Sequence, residues 1–355
     1  MTGPDKEFSN VLRSWYRDHR RSLPWRDTRN PYRIWLSEVI LQQTRVDQGL
    51  PYYLRFIEAF PDVAALANAP EQQVLRLWQG LGYYSRARNL HAAARQILLH
   101  HNGRFPSDYA SIRSLKGVGD YTAAAVASFA YDLPFPVVDG NVYRFLSRMF
   151  GLATPIDSHS GRQEYRQLAE NLLDPAHAAE HNQAIMEIGA IVCKPRNPWC
   201  GACPFMGGCH ALAFDLINQL PVKIKKQKTA VRHLNYLFIT DGRETLIRQR
   251  MDKDIWQGLY ELPLHEDGAA PTSLSTPPVP ENLRLGEYQV MGVPQFYKHQ
   301  LSHRELHVNF WSLKVPSVRK IRGGYVVTPL EELVRLPFPA LLVRFFESRG
   351  LVSDV

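Results

Sequence analysis

Cysteine is scarce in this sequence, and long apolar runs and an excess of acidic residues are missing. Only four of the 355 residues are cysteines, too few for a disulfide framework in a chain of this length. No apolar run approaches the roughly 18 residues of a membrane-spanning helix, and the first residues, MTGPDKEFSN, lack the pattern of a signal peptide. We therefore expect a soluble, cytoplasmic protein without a membrane partner.

Basic residues outnumber acidic ones. The chain has 42 Lys and Arg against 34 Asp and Glu, which gives a formal net charge of +8 and a sequence pI of about 9.3. An excess of this size favours a polyanionic partner such as nucleic acid, although many basic proteins bind none. A chain of this length is also long enough for two domains with separate cores.

The segment from Leu115 to Arg144 combines a glycine turn, an alanine-rich helix and an isolated acid. Gly117 and Gly119 allow a tight turn with outward-facing backbone N–H groups, and a helix predicted to begin near Asp120 adds its positive end. Such a turn can bind a phosphate, although a lone G-x-G is more often an ordinary helix-helix turn. After two prolines, an apolar pair leads directly to Asp139, an acid without an adjacent partner.

A second isolated acid lies within an apolar helix predicted to open at Pro31. Six of the eight residues 34–41 are apolar, and Glu38 is the only charge among them. A buried carboxylate is costly, so Glu38 either reaches solvent or pairs with Arg33 or Arg45, or it has a raised pKa and stays protonated as a proton donor. These residues alone leave both interpretations open.

The four cysteines lie in one short loop with the spacing C-x6-C-x2-C-x5-C. Structural zinc sites usually combine two C-x2-C-like pairs, and only one such pair is present. Four thiolates in a single loop therefore favour an iron–sulfur cluster. The candidate ligands are Cys193, Cys200, Cys203 and Cys209.

Composition changes after residue 221. The basic run PVKIKKQKTAVRH predicts a linker over residues 222–232. Beyond it, LNYLFIT, ETLIRQR and ELHVNFWSLKV have strand patterns, and PALLVRFFESRG has a helical one. Residues 233–355 are therefore predicted to form an α+β domain.

These motifs resemble the endonuclease III superfamily of helix-hairpin-helix DNA glycosylases, and within it the adenine DNA glycosylase (MutY) branch. LKGVGDYTA and VDGNV resemble its hairpin and catalytic-aspartate segment, SEVILQQTRV its catalytic-glutamate helix, and the cysteine loop its 4Fe-4S loop. The resemblance implies an all-α helix-hairpin-helix glycosylase domain over residues 1–221, followed by a Nudix-like α+β domain. Within the first domain it implies a six-helix module over about 29–137 and a cluster module formed by 1–28 and 138–221.

The resemblance implies a monomeric, nucleoid-associated bacterial enzyme that excises adenine paired with 8-oxoguanine or guanine in double-stranded DNA, without strong lyase activity. Glu38 would be the general acid and later activate water, and Asp139 would stabilise the oxocarbenium ion or transiently bond C1′. Tyr121 and Asn141 would orient these acids. The DNA contacts implied in this domain are Gln42, Gln43, Tyr83, Gly117 and Gly119.

The Nudix-like region departs from working Nudix hydrolases, because no Arg-Glu and no paired magnesium-binding glutamates follow Gly258. We therefore expect recognition rather than hydrolysis. The loop with which the family inspects 8-oxoguanine has the sequence Phe-Ser-His, and here Leu301 replaces the phenylalanine before Ser302 and His303.

Two alternatives belong to other functional classes. Lyases of the superfamily carry a Schiff-base lysine at the second residue after the last hairpin glycine, where this chain has Tyr121, whose phenol cannot form an imine. A non-catalytic lesion-binding module would not need both Glu38 and Asp139. The sequence thus favours the hydrolytic glycosylase.

Overall fold

Helices form the first part of the chain and strands dominate the rest. The structure is a computed structural model that describes residues 3–224, 230–267, 276–280, 282–301, 304–321 and 323–352. The helices that precede the first strand are α1 Gly3–His19, α2 Pro31–Leu41, α3 Val46–Ala59, α4 Val63–Asn68, α5 Glu71–Leu77, α6 Ser85–His100, α7 Tyr109–Ser114, α8 Asp120–Tyr131, α9 Gly140–Phe150, α10 His159–Leu172, α11 Ala178–Ile191 and α12 His210–Ala213. Within these residues no helix is long and apolar enough to cross a membrane.

Local capping defines the helices that carry the candidate site. Pro31 begins α2, and the side chain of Asn30 accepts a hydrogen bond from the Arg33 N–H at its open end. Helix α8 begins at Asp120, as predicted, and ends where Asp132 adopts a left-handed conformation. Because α8 is rich in alanine, it packs closely between α2 and α11.

The C-terminal part is built on a mixed eight-stranded sheet. Its path is β3-β2-β1-β7-β5, with β4 paired to β1, β6 to β7 and β8 to β2. The strands are β1 Ala230–Thr240, β2 Glu244–Gln249, β3 Tyr260–Glu261, β4 Leu264–Asp267, β5 Gln289–Val290, β6 Gln295–Gln300, β7 Arg304–Lys314 and β8 Val326–Pro329. The central strands β1 and β7 are parallel, and α13 (Ala340–Glu347) packs on one face of the sheet.

Contacts between residues group the chain into two units. The first comprises Met1–Asn68 and Asn89–Lys226, and the second comprises Ala69–Arg88 and Gln227–Val355. The predicted fold class, an all-α domain followed by an α+β domain, is confirmed. The boundaries given above for the modules and the linker stay predictions.

Candidate active site

Glu38 lies in the middle of α2 with only 7% of its surface exposed. The hydroxyl of Tyr121, on the first turn of α8, donates a hydrogen bond to Glu38 Oε2 at 2.8 Å. Burial raises the pKa of Glu38 to about 7, against the lowering effect of the Tyr121 hydrogen bond. Among the described residues neither Arg33 nor Arg45 forms an ion pair with it. The geometry thus favours a carboxyl group that is still about half protonated near pH 7.

Asp139 is the N-cap of α9, and its position at a helix start determines its contacts. Oδ1 accepts hydrogen bonds from the N–H groups of Asn141 and Val142, both at 2.8 Å, and Oδ2 accepts one from Asn141 Nδ2 at 2.7 Å. Burial raises the pKa of Asp139 above its ordinary value, and these three donors oppose that rise without reversing it. Both carboxylate oxygens are therefore fixed in orientation by groups that favour the charged form.

Tyr121 is electrostatically linked to both acids. Burial raises its pKa well above the ordinary value of 10, and the charges of Glu38 and Asp139 raise it further. The phenol consequently stays protonated and acts as a hydrogen-bond donor. Since a donor of this kind can stabilise either form of Glu38, Tyr121 orients the carboxyl group without consuming its proton.

A hydrogen-bond chain runs from Asp139 toward the cysteine loop. Asn141 Oδ1 accepts from Arg144 Nη2 at 2.9 Å, and Arg144 Nε donates to the Cys193 carbonyl at 2.6 Å. Close packing supports the chain, because a Cβ on Gly189 would lie 2.7 Å from the Asn141 carbonyl oxygen. Helix α9 thus connects the acid at its first turn to the cysteine-bearing segment.

The two acids and the glycine turn line one cleft of about 980 Å³. Gln42 enters it and donates a hydrogen bond to Thr122 Oγ1 at 3.2 Å, while Gln43 has a left-handed backbone with φ 58°. Arg162 and Arg166 of α10 add positive charge to its wall. The residues that the sequence singled out and the structure places in this cleft are Glu38, Gln42, Gln43, Gly117, Gly119, Tyr121 and Asp139.

A third buried acid was missed by the sequence analysis. Glu187 of α11 is fully buried and accepts hydrogen bonds from Arg21 Nη2 at 2.6 Å and Arg26 Nη2 at 2.7 Å. Burial opposes its charge, but the two arginines outweigh that effect and lower its pKa to about 2. Glu187 and both arginines line a second cleft of about 1180 Å³ with Glu38 and Asp139. The available signal was a lone charge in the apolar run AIMEIGAIV, the pattern that identified Glu38.

The four cysteines line a single small cavity and form no disulfides in the described structure. Burial raises the pKa of Cys203 to about 11, and it also raises that of Cys193, where Arg148 opposes the effect. Arg148 Nη1 lies 3.5 Å from Cys193 Sγ. Across the described ranges, no three His, Cys, Asp or Glu side chains come close enough to hold one metal ion.

The remaining predicted DNA contacts lie in the second unit or outside the described residues. Tyr83 belongs to the second unit, where its backbone is left-handed with φ 48° and its side chain is 45% exposed. Leu301 packs against the apolar core beside the sheet, and its N–H donates to the Arg304 carbonyl at 2.8 Å. Ser302 and His303 lie outside the described residues.

A hairpin before an alanine-rich helix and two buried acids in one cleft define a helix-hairpin-helix DNA glycosylase. Residues 36–173 match the family model described as the HhH-GPD superfamily base excision DNA repair protein, and residues 235–348 match the NUDIX domain. Among solved structures, a thermostable thymine-DNA glycosylase is similar with a TM-score of 0.55 and 28% identity, covering 59% of this chain and 97% of its own.

Curated relatives narrow the class to one family. An adenine DNA glycosylase of Buchnera aphidicola subsp. Baizongia pistaciae is 32% identical over 305 residues, which cover 85% of this chain and 84% of that protein. The adenine DNA glycosylase of Mus musculus is 41% identical over 213 residues, 58% of this chain and 41% of its own. The chain belongs to the adenine DNA glycosylase family, and the resemblance inferred from the sequence motifs is confirmed.

Proposed function

We propose that this protein removes adenine from A:8-oxoguanine and A:guanine mispairs in double-stranded DNA by hydrolysing the N-glycosidic bond. One observation carries the proposal: Glu38 and Asp139 share a cleft but have opposite surroundings, one apolar with a single donor and one with three donors. Family membership supports adenine as the base.

The chemistry requires one acid and one anion. Adenine is a poor leaving group until N7 is protonated, and positive charge then develops on the sugar as the bond breaks. Glu38, with its pKa raised to about 7, can donate that proton and can afterwards act as a base toward water. Asp139 stabilises the positive charge on the sugar, because a carboxylate held in a fixed orientation stabilises an oxocarbenium ion.

The glycine turn suits a backbone phosphate. Gly117 has a φ of 75°, and a Cβ there would lie 2.5 Å from Asn89 Cβ, so a side chain at this position would clash. At Gly119 an added Cβ would meet nothing within 4 Å, which leaves the N-terminal side of α8 open to an anion. Arg162 and Arg166 in the same cleft supply further counter-charge for the strand.

A 4Fe-4S cluster is the group we propose for the cysteine loop, with Cys193, Cys200, Cys203 and Cys209 as ligands. Four thiolates around one zinc ion at about 2.3 Å would stand only about 4 Å from one another, whereas a cubane spreads them over four irons. All four cysteines line one small cavity, which supports a single shared group. When bound, the cluster would supply four strong bonds that fix the loop and its link to α9.

The C-terminal domain is proposed to recognise 8-oxoguanine through Ser302 and His303. Guanine and 8-oxoguanine differ at N7, an acceptor in one and a donor in the other, and at the added O8. A polar pair can discriminate between them, since a hydrogen bond left unpaired costs about 1–3 kcal/mol. The side chain of Leu301 packs against the apolar core beside the sheet and so has a structural role.

The test is single-turnover excision from duplexes with A:8-oxoguanine, A:guanine and A:thymine pairs, with and without alkaline cleavage of the product. We expect intact abasic strands from the first two duplexes and much slower reaction with the third. Strand nicking without alkali, trapped by borohydride, would identify a lyase instead. Tight binding without any base release would identify a binding module.

A further inference from the structure

Tyr83 lies on a tightly folded turn between α5 and α6. Gly80 and Gly82 have φ angles of 100° and 73°, and Tyr83 itself has 48°, a region that non-glycine residues seldom occupy. Trp78 Nε1 donates to the Gly82 carbonyl at 3.0 Å, and the Arg86 guanidinium lies 5.1 Å from the Trp78 ring and 5.6 Å from the Tyr83 ring. The turn therefore presents an aromatic ring on a strained backbone.

The segment that carries this turn, residues 69–88, forms hydrogen bonds at both ends to the sheet domain, the described residues from 230 onward in the same unit. Two of the contacts go to backbone groups of residues 334 and 338, and the others go to residues 257 and 260. The pairs are Gln72 Nε2 to Tyr260 OH at 2.8 Å, Arg76 Nε to the Val334 carbonyl at 3.0 Å, the Phe338 N–H to Gln79 Oε1 at 3.2 Å, and Arg88 to Gln257.

Arg88 makes the most specific of these contacts. Its Nη1 donates to the backbone carbonyl of Gln257, and its Nη2 donates to Gln257 Oε1 at 3.3 Å. The neighbouring Gly258, with φ 86°, lets this loop approach α5, because a Cβ there would stand 3.3 Å from Leu75 Cδ1. Burial lowers the pKa of the Arg88 guanidinium. A partly desolvated guanidinium with both partners on one residue fixes the two segments together.

We propose that the sheet domain positions Tyr83 for insertion into DNA, with Arg88 as the positioning residue. The inference rests on the proposed function and on the resemblance that makes Tyr83 a DNA contact, and it takes the Tyr83 ring to enter the duplex. A turn held at both flanks loses little conformational freedom when its ring inserts. Without the hydrogen bonds of Arg88, the turn can leave its left-handed backbone conformation. Insertion of the Tyr83 ring must then order the turn again. Arg88 thus acts through Tyr83.

A double-mutant cycle in the full-length protein tests this coupling. The variants are Arg88→Ala, Tyr83→Ala and the double variant. The readouts are the Kd for a duplex with a non-excisable 2′-fluoroadenosine opposite 8-oxoguanine, and the fluorescence of a 2-aminopurine beside the mispair. We expect Arg88→Ala to raise Kd about tenfold and to reduce the fluorescence change, and to add less than about twofold when Tyr83 is already alanine. The matched control is Arg319→Ala, which removes an exposed surface ion pair with Glu244 and should alter neither readout.

Additive losses in the double variant, or an unchanged fluorescence signal in Arg88→Ala, would overturn the inference. If thermal melting shows that Arg88→Ala does not fold, Gln79→Ala takes its place in the cycle. Gln79 lies on the other side of Tyr83, and the substitution removes the acceptor for the Phe338 N–H. Binding and fluorescence do not depend on base release. A wild-type protein that releases no adenine would therefore refute the proposed function while the cycle still decides the role of Arg88.

Discussion

Glutamine at position 38 would keep the shape of the Glu38 side chain and remove its proton chemistry. The pKa of Glu38 is raised from 4.5 to about 7 by burial. Below about pH 4.5 the carboxyl is protonated in both the folded and the unfolded chain, so Glu38→Gln should match the wild type in stability. Between about pH 4.5 and 7 the unfolded chain ionises first, and the wild type loses stability as pH rises.

The size of this loss follows from the two pKa values. A gap of about 2.5 pH units at about 1.36 kcal/mol per unit gives about 3 kcal/mol, fully expressed above pH 7. For a domain of this size, about 1 kcal/mol changes the melting temperature by roughly 2–4 °C. Glu38→Gln should therefore melt several degrees above the wild type at about pH 8 and at the same temperature near pH 4.5.

The same substitution should abolish adenine excision, because an amide cannot donate the proton. The wild-type single-turnover rate should fall as pH rises through about 7. Calorimetry at several pH values measures the difference in melting temperature, and a quench-flow assay measures the rate of adenine excision. The control is Glu58→Gln on the exposed side of α3, where water solvates the side chain in both states. Equal melting of Glu38→Gln and wild type at both pH values would mean that Glu38 is ionised in the fold, and the assignment of the general acid would fail.

Three further predictions address the other parts of the site. Asp139→Asn should reduce excision by at least about a hundredfold and leave duplex binding intact, because asparagine still caps α9 but carries no charge; near-native single-turnover excision would contradict the role of Asp139. Tyr121→Lys should introduce strand nicking without alkali, because an amine would then stand beside Glu38; an unchanged, fully intact abasic product would argue against a sugar carbon within reach of position 121. Purified protein should be brown and contain about four irons per chain; stoichiometric zinc without visible absorbance would exclude the cluster.

Local signals in the sequence predicted the elements that carry the site. The start of α8 at Asp120 and the isolated acid before Gly140 depend on neighbours within a few residues, and both agree with the structure. The environment of Glu38 was left open, since its hydrogen-bond partner Tyr121 is 83 residues away. Glu187 is likewise a lone charge in an apolar run, but its pairing could not be predicted because its two arginine partners are more than 160 residues distant in sequence.

In the C-terminal unit, too, the sequence predicts local elements but not the pairing of distant ones. Strand patterns predicted β1, β2 and β7, and a helical pattern predicted the terminal helix, whereas two-residue strands such as β3 and β5 have no periodicity to detect. The parallel pairing of β1 with β7 joins Ala230 to Arg304, and no local pattern specifies that register. The grouping of residues 69–88 with the sheet rests partly on backbone acceptors such as the Val334 carbonyl, which leave no mark in a sequence.

The different environments of the two acids arise from where each stands on its helix. Glu38 is in the middle of α2, where the backbone N–H groups are already bonded within the helix, so its hydrogen bond comes from the Tyr121 side chain and burial dominates its pKa. Asp139 stands at the N-cap of α9, where unpaired N–H groups and the positive end of the helix favour an anion. The division between proton donor and anion is therefore set by helix position, with the surrounding apolar residues strengthening it at Glu38.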